Sequence, residues 1–140
     1  MRFLAKVLRR GPAHLRAGEW GEEQAERVLR CKGWKIVGRR VRVGRKDELD
    51  LVARAGPVLV FVEVKTRKSE QFGRPYEAVD RAKRRCLSRA AYRYLLALRP
   101  RPEYFRFDVV EVIGEPDGPD PVIRHIENAF QLEGSYRLPW

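Results

Sequence analysis

Residues 59–67 read LVFVEVKTR, and the reading of this stretch decides the fold. Side chains alternate across a β-strand, so Val58, Val60, Val62 and Val64 share one face. Leu59, Phe61, Glu63 and Lys65 share the other. The run is apolar on both faces until Glu63, the mark of a buried strand. An acid and a base then appear two residues apart on one face.

The segments on either side extend the pattern. ELDLVA, from residue 48, reads as a preceding strand, with RAGP as the turn between them. A turn centred on Ala55-Gly56 sets Asp50 opposite Phe61 and Glu48 opposite Glu63. Leu49 and Leu51 then share one face, and Glu48, Asp50, Glu63 and Lys65 converge on the other. Upstream, a helix is expected over 17–32, stopped by Gly33, followed by a strand in WKIVGRRVRV. Downstream come a polar loop at 69–75, a long helix over 76–98 stopped by Pro100, a strand in FRFDVVEVI, and a last strand or edge piece in VIRHIENAF. The order α-β-β-β-α-β-β predicts an α/β fold, a mixed sheet with helices packed on it. The domain is expected over 17–132, with a basic arm at 1–16 and a tail at 133–140.

Three carboxylates converging on one lysine repel one another. Such a patch is either solvated or holds a hard cation. Magnesium or manganese suits oxygen ligands, can acidify water and can neutralise charge on a phosphate. The competing reading is a solvent-facing Glu63–Lys65 ion pair on a half-exposed strand. Glu22 flanks the buried stripe of the first helix, Gly21, Ala25, Val28 and Leu29, while Glu23 is expected in solvent. As a first-turn acid, Glu22 also suits the helix dipole alone.

Thirty Lys and Arg stand against 19 Asp and Glu in 140 residues, a net charge of +11. That balance favours a polyanionic partner, nucleic acid before an anionic membrane surface. Arg81, Arg85, Arg89 and Arg93 fall at four-residue spacing on the long helix, with Lys83 and Arg84 beside them. Val79, Ala82, Cys86, Ala90 and Leu95 are expected to pack on the sheet. Arg39, Arg40, Arg42, Arg45 and Lys46 precede the acidic hairpin, and Arg67 and Lys68 follow it. Basic groups thus bracket the carboxylates, as phosphate contacts require; a merely solvated basic face is the plainer alternative. Cys31 and Cys86 lack any CxxC spacing and are expected to be small core residues in a reducing compartment. His14 and His125 are expected at the surface, and Asp108 beside an arginine. The start of the chain lacks a cleavage-site pattern, and no run reaches the roughly 18 apolar residues that span a bilayer. A cytoplasmic protein with no membrane contact is expected. No phosphate-cradling GxxxxGK[ST] loop or GxSxG elbow is present.

GEEQA, ELDLVA, LVFVEVKTR, FGRPYEAV, RFDVVEV and IENAF occur in this order in the YraN-like family of bacterial proteins, which this chain resembles over about residues 18–130. That family resembles the PD-(D/E)XK nucleases, which include restriction endonucleases and Holliday junction resolvases. The resemblance implies a restriction-endonuclease-like fold, a central mixed sheet flanked by helices, and a Mg²⁺- or Mn²⁺-dependent phosphodiesterase site acting on DNA. It implies that Asp50 and Glu63 bind the metal, with the Val64 carbonyl and Glu48 in support. Lys65 matches the motif lysine and Glu22 the first-helix glutamate of resolvase-like members. Arg42, Arg45, Arg67, Arg81, Lys83, Arg84, Arg85 and Arg89 are then the candidate DNA contacts. Resolvase-like enzymes need two sites for two strands, so a homodimer is compatible with the resemblance, although the sequence shows no interface. The chain departs from the family's pattern at Asp47, where glycine is usual, and near Arg40, where asparagine is usual. The alternative function is a non-catalytic nucleic-acid-binding module that keeps the fold.

Overall fold

The computed structural model describes residues 13–134 and 136–139. Most of the expected N-terminal arm therefore lies outside the described residues. Helix α1 spans Ala13–Cys31, beginning four residues before the expected start. Its end follows the glycine rule: Gly33 has φ 83°, and the Trp34 N–H reaches back to the Leu29 carbonyl at 3.1 Å. Strands β1 (Lys35–Val43), β2 (Asp47–Ala55) and β3 (Val58–Arg67) form an antiparallel meander. A 3₁₀ turn at Pro75–Ala78 leads into helix α2, Arg81–Ala97, and strands β4 (Tyr104–Ile113) and β5 (Val122–Phe130) complete the chain. The single long helix expected over 76–98 is divided because Asp80 is an N-cap: its carboxylate accepts the Lys83 N–H at 2.9 Å.

The five strands lie in chain order, with β3 and β4 parallel and every other pair antiparallel. Parallel neighbours need a long crossover, and α2 supplies it. The fold is α/β, a mixed sheet flanked by helices, in the layout expected of a restriction-endonuclease-like domain. On one face Leu59 and Phe61 pack with Leu87, Ala90, Ala91 and Leu95 of α2. On the other, Val60, Val62 and Val64 pack with Ala25 and Leu29 of α1. The alternation read from β3 thus separates two cores. On α2, Ala82 and Cys86 are not part of the buried stripe, Cys86 being exposed; Leu87, Ser88 and Ala91 join Ala90 and Leu95 there. Cys31 is exposed as well, since it closes the last turn of α1.

Two details of the hairpin differ from expectation. Ala55 pairs with Val58, so the turn is centred on Gly56-Pro57. The register moves by two, so that one step beyond the last pair, Leu51↔Val62, Asp50 falls level with Glu63 rather than Phe61. Alternation also slips at Asp50: Leu49 joins the α2-side core and Leu51 the α1-side core.

Helix α1 approaches β3 at Gly21. A Cβ there would stand 1.9 Å from Thr66 Oγ1 and within 3.2 Å of two more Thr66 side-chain atoms. Threonine is stiff at χ1, so it cannot easily yield. Gly21→Ala is expected to cost about 1–3 kcal/mol despite alanine's better helix propensity. A lowered urea midpoint would report it, and an unchanged or raised midpoint would contradict the close approach.

Candidate active site

The β2–β3 ladder ends at Leu51↔Val62. Beyond it the Asp50 side chain takes over: Oδ2 accepts the Val64 N–H at 2.9 Å. This bond places the Asp50 carboxylate beside Glu63, close enough for its charge to act on the Glu63 carboxyl. Glu63 is only 4% exposed, which excludes the solvent-facing ion pair. Lys65 Nζ lies 3.6 Å from Glu63 Oε1, and Lys83 Nζ of α2 lies 3.5 Å from the same oxygen. Glu63 Oε2 is buried without a hydrogen-bond partner among the described residues. A buried acceptor left unpaired is costly, and native proteins keep such atoms rarely.

Burial pushes the Glu63 carboxyl up to about 7, and the charge of Asp50 pushes the same way against Lys83 and Lys65. Burial also raises Asp50, opposed by the Val64 N–H and the lysines. The pair opens on a cleft of about 850 Å³ whose lining includes Glu22, Val64, Lys65, Arg67 and Lys68. Glu22 is raised by burial, and Asp50 and Glu48 add repulsion while Arg40 opposes it. The structure therefore brings Asp50, Glu63, Val64, Lys65 and Glu22 to one cleft. Glu48 is exposed, lies across from Arg42 in the β1–β2 register, and acts on Glu22 through its charge. Among the described residues no group of three or more His, Cys, Asp or Glu is gathered to hold a metal. The donor set is the carboxylate pair with the Val64 backbone beside it. Magnesium commonly takes one or two carboxylates with several waters. Two hard oxygen donors, one of them an orphan, fit that demand.

Both departures from the family's pattern have a structural role. Asp47 accepts Arg89 Nε and Nη2, each at 2.7 Å, tying the start of β2 to α2. Arg40 lies in the gap of the β1–β2 pairing and has φ 46°. Asparagine tolerates that left-handed backbone better than most residues. Arginine holds it here through Glu22 at 2.7 Å and Glu19 at 3.4 Å.

The basic candidates divide into two groups. Arg42, Arg45, Arg67, Arg81 and Arg85 are exposed. Lys83 turns to Glu63 and Arg89 to Asp47, while Arg84 donates to the Val79 carbonyl and the Tyr76 hydroxyl. His125 is not a surface residue. Its side chain, 5% exposed, bonds Asp108 at 2.8 Å and meets Trp34 edge-on at 5.1 Å. Asp108 pairs with Arg106 as expected. Burial raises Asp108, but bonds from His125, Arg106 and the Asn128 N–H outweigh it and hold the carboxyl low.

The model of Uncharacterised protein family UPF0102 matches residues 21–112, well over half the chain. The chain belongs to this family. A UPF0102 protein of Symbiobacterium thermophilum is 50% identical over 115 residues, covering 82% of this chain and 96% of its own. One of Syntrophotalea carbinolica is 43% identical over 86% of this chain and 95% of its own. One of Myxococcus xanthus is 41% identical over 87% and 95%. The UPF0102 match takes in the cleft residues Glu22, Asp50, Glu63 and Lys65, and Lys83 beside Glu63, so all five lie within the region the family shares.

Proposed function

We propose that this UPF0102 protein is a metal-dependent endonuclease of the PD-(D/E)XK type, hydrolysing DNA phosphodiester bonds with selectivity for DNA structure. The observation that carries the reading is the Asp50–Glu63 pair, Glu63 buried and Asp50 half-buried, with an orphan oxygen on Glu63 and two lysines on its other oxygen. Asp50, Glu63 and the Val64 carbonyl would hold Mg²⁺ or Mn²⁺. When bound, such an ion acidifies water and neutralises charge on a phosphate. Lys65, from the same strand, orients the attacking water and meets charge on the phosphoryl oxygens. Lys83 presents a second cation from α2. Glu22 and Glu48 add negative potential that favours a cation in the cleft. Exposed Arg42, Arg45, Arg67, Arg81 and Arg85 supply phosphate contacts that fix position without reading bases. None of the described helices is long and apolar enough to cross a membrane. On this reading the protein works on cytoplasmic DNA, and two copies would serve two strands.

One observation favours a second reading, a nucleic-acid-binding module without turnover. Lys65 and Lys83 both lie within 3.6 Å of Glu63 and already offset its charge without a metal. Magnesium titration over linear, nicked and four-way-junction DNA separates the two. Structure-selective cleavage supports the nuclease. Salt-sensitive binding without cleavage at any magnesium concentration supports the module.

A further inference from the structure

We propose that Phe72 stacks on an unpaired base, so that the nucleic acid engaged at the Asp50–Glu63 cleft has single-stranded or branched character. The inference rests on the nucleic-acid reading above. Phe72 is 96% exposed, whereas Tyr104, Val122 and Leu15 are 59%, 56% and 53% exposed. A partly exposed apolar residue is ordinary; the phenyl ring of Phe72, held almost wholly in water, offers an aromatic face free to bind.

The loop that presents it is firmly rooted. Glu111, fully buried, accepts Arg74 at 2.9 Å, Arg124 at 2.9 Å and the Tyr76 N–H at 2.8 Å. Arg124 also grips Glu70. Residues 70 and 74 are thus tied to one network, and the Gly73 N–H closes the tip onto the Glu70 carbonyl at 3.0 Å. Gly73 has φ 113°, a backbone region that favours glycine. A ring displayed on a pre-ordered tip loses little freedom when it binds.

The surroundings specify the partner. Between Lys65 and Arg74 four basic residues stand against one acid, Glu70, which is paired. Arg67, Lys68 and Arg74 are exposed. A cationic track with an aromatic face is the combination that binds single strands, since every base offers a π-face. Seven residues of chain lead from Lys65 to Phe72, at most roughly 24 Å when extended. The ring and the carboxylate pair can therefore engage one substrate.

Fluorescence anisotropy with labelled duplex, single-stranded and four-way-junction DNA, in calcium, tests this. Phe72→Ala is expected to weaken single-strand and junction binding about tenfold and to leave duplex binding unchanged. Phe72→Trp is expected to keep affinity, with its added emission quenched by single strands but not by duplex. Equal loss on all three DNAs, or no loss, overturns the proposal. So does conversion of a dimer to a monomer by Phe72→Ala in sedimentation, which would make Phe72 a contact between copies. If the unaltered protein binds none of the three, the nucleic-acid reading falls and the stacking role with it. If it binds and Phe72→Ala binds equally well, only the stacking role falls.

Discussion

Asp50→Asn and Glu63→Gln are each expected to slow Mg²⁺-dependent DNA cleavage by about 10³-fold or more, the scale on which a charge-stabilising group acts in a dry site. Both changes keep side-chain shape and remove negative charge. The amide oxygen introduced by Asp50→Asn can still accept the Val64 N–H that the Asp50 carboxylate accepts at 2.9 Å, so the hairpin survives. Loss of turnover with an unchanged circular dichroism spectrum would assign the carboxylates to chemistry. Equal cleavage by native protein and variants would trace the activity to a contaminant. Lys65→Ala separates the readings further, since only a catalytic site requires that ammonium once the metal is present.

The second large effect is on stability, and its sign is opposite. The Glu63 carboxyl has an ordinary value of 4.5 and is pushed up to about 7 in the folded protein, by burial first and by Asp50 second. Folding therefore favours the protonated form. The stability this contributes is fully present below about pH 4.5 and is lost as pH rises through about 7. Glu63→Gln removes the cost of the buried charge. It is expected to stabilise the protein by on the order of 3 kcal/mol at pH 8 and to change little at pH 4. Urea denaturation in EDTA at the two pH values measures this. A native protein more stable than Glu63→Gln at pH 8 would mean that Lys65 and Lys83 over-compensate the buried charge. A site that destabilises its own fold is the common trade between stability and function.

The sequence revealed the strands and their faces because alternation is local. LVFVEVKTR separates two cores by parity alone, and a two-residue error in the hairpin register left that parity intact. The nearness of Asp50 and Glu63 was legible only as a diagonal contact on a shared face, because the expected register set Asp50 opposite Phe61. The depth of the site was not legible, because burial of Glu63 depends on how α2 lies across the sheet. That docking also turned Lys83 from a presumed phosphate contact into a neighbour of Glu63 and drew Arg89 to Asp47. The split before α2 was readable in Asp80, a capping residue inside a basic, helix-like run. His125 was misjudged because its partners Asp108 and Trp34 are distant in sequence. The slip of alternation at Asp50 had no local sign, since Arg40, which lies in the gap of the β1–β2 pairing with φ 46°, is not a residue suited to left-handed backbone.

Calorimetric titration of the metal-free protein with Mn²⁺ at pH 8 tests the central claim most directly. One ion bound per chain, with binding lost in Glu63→Gln, is the predicted result. A folded native protein that takes up no ion, or one whose uptake is unchanged in Glu63→Gln, would contradict a metal site at the Asp50–Glu63 pair.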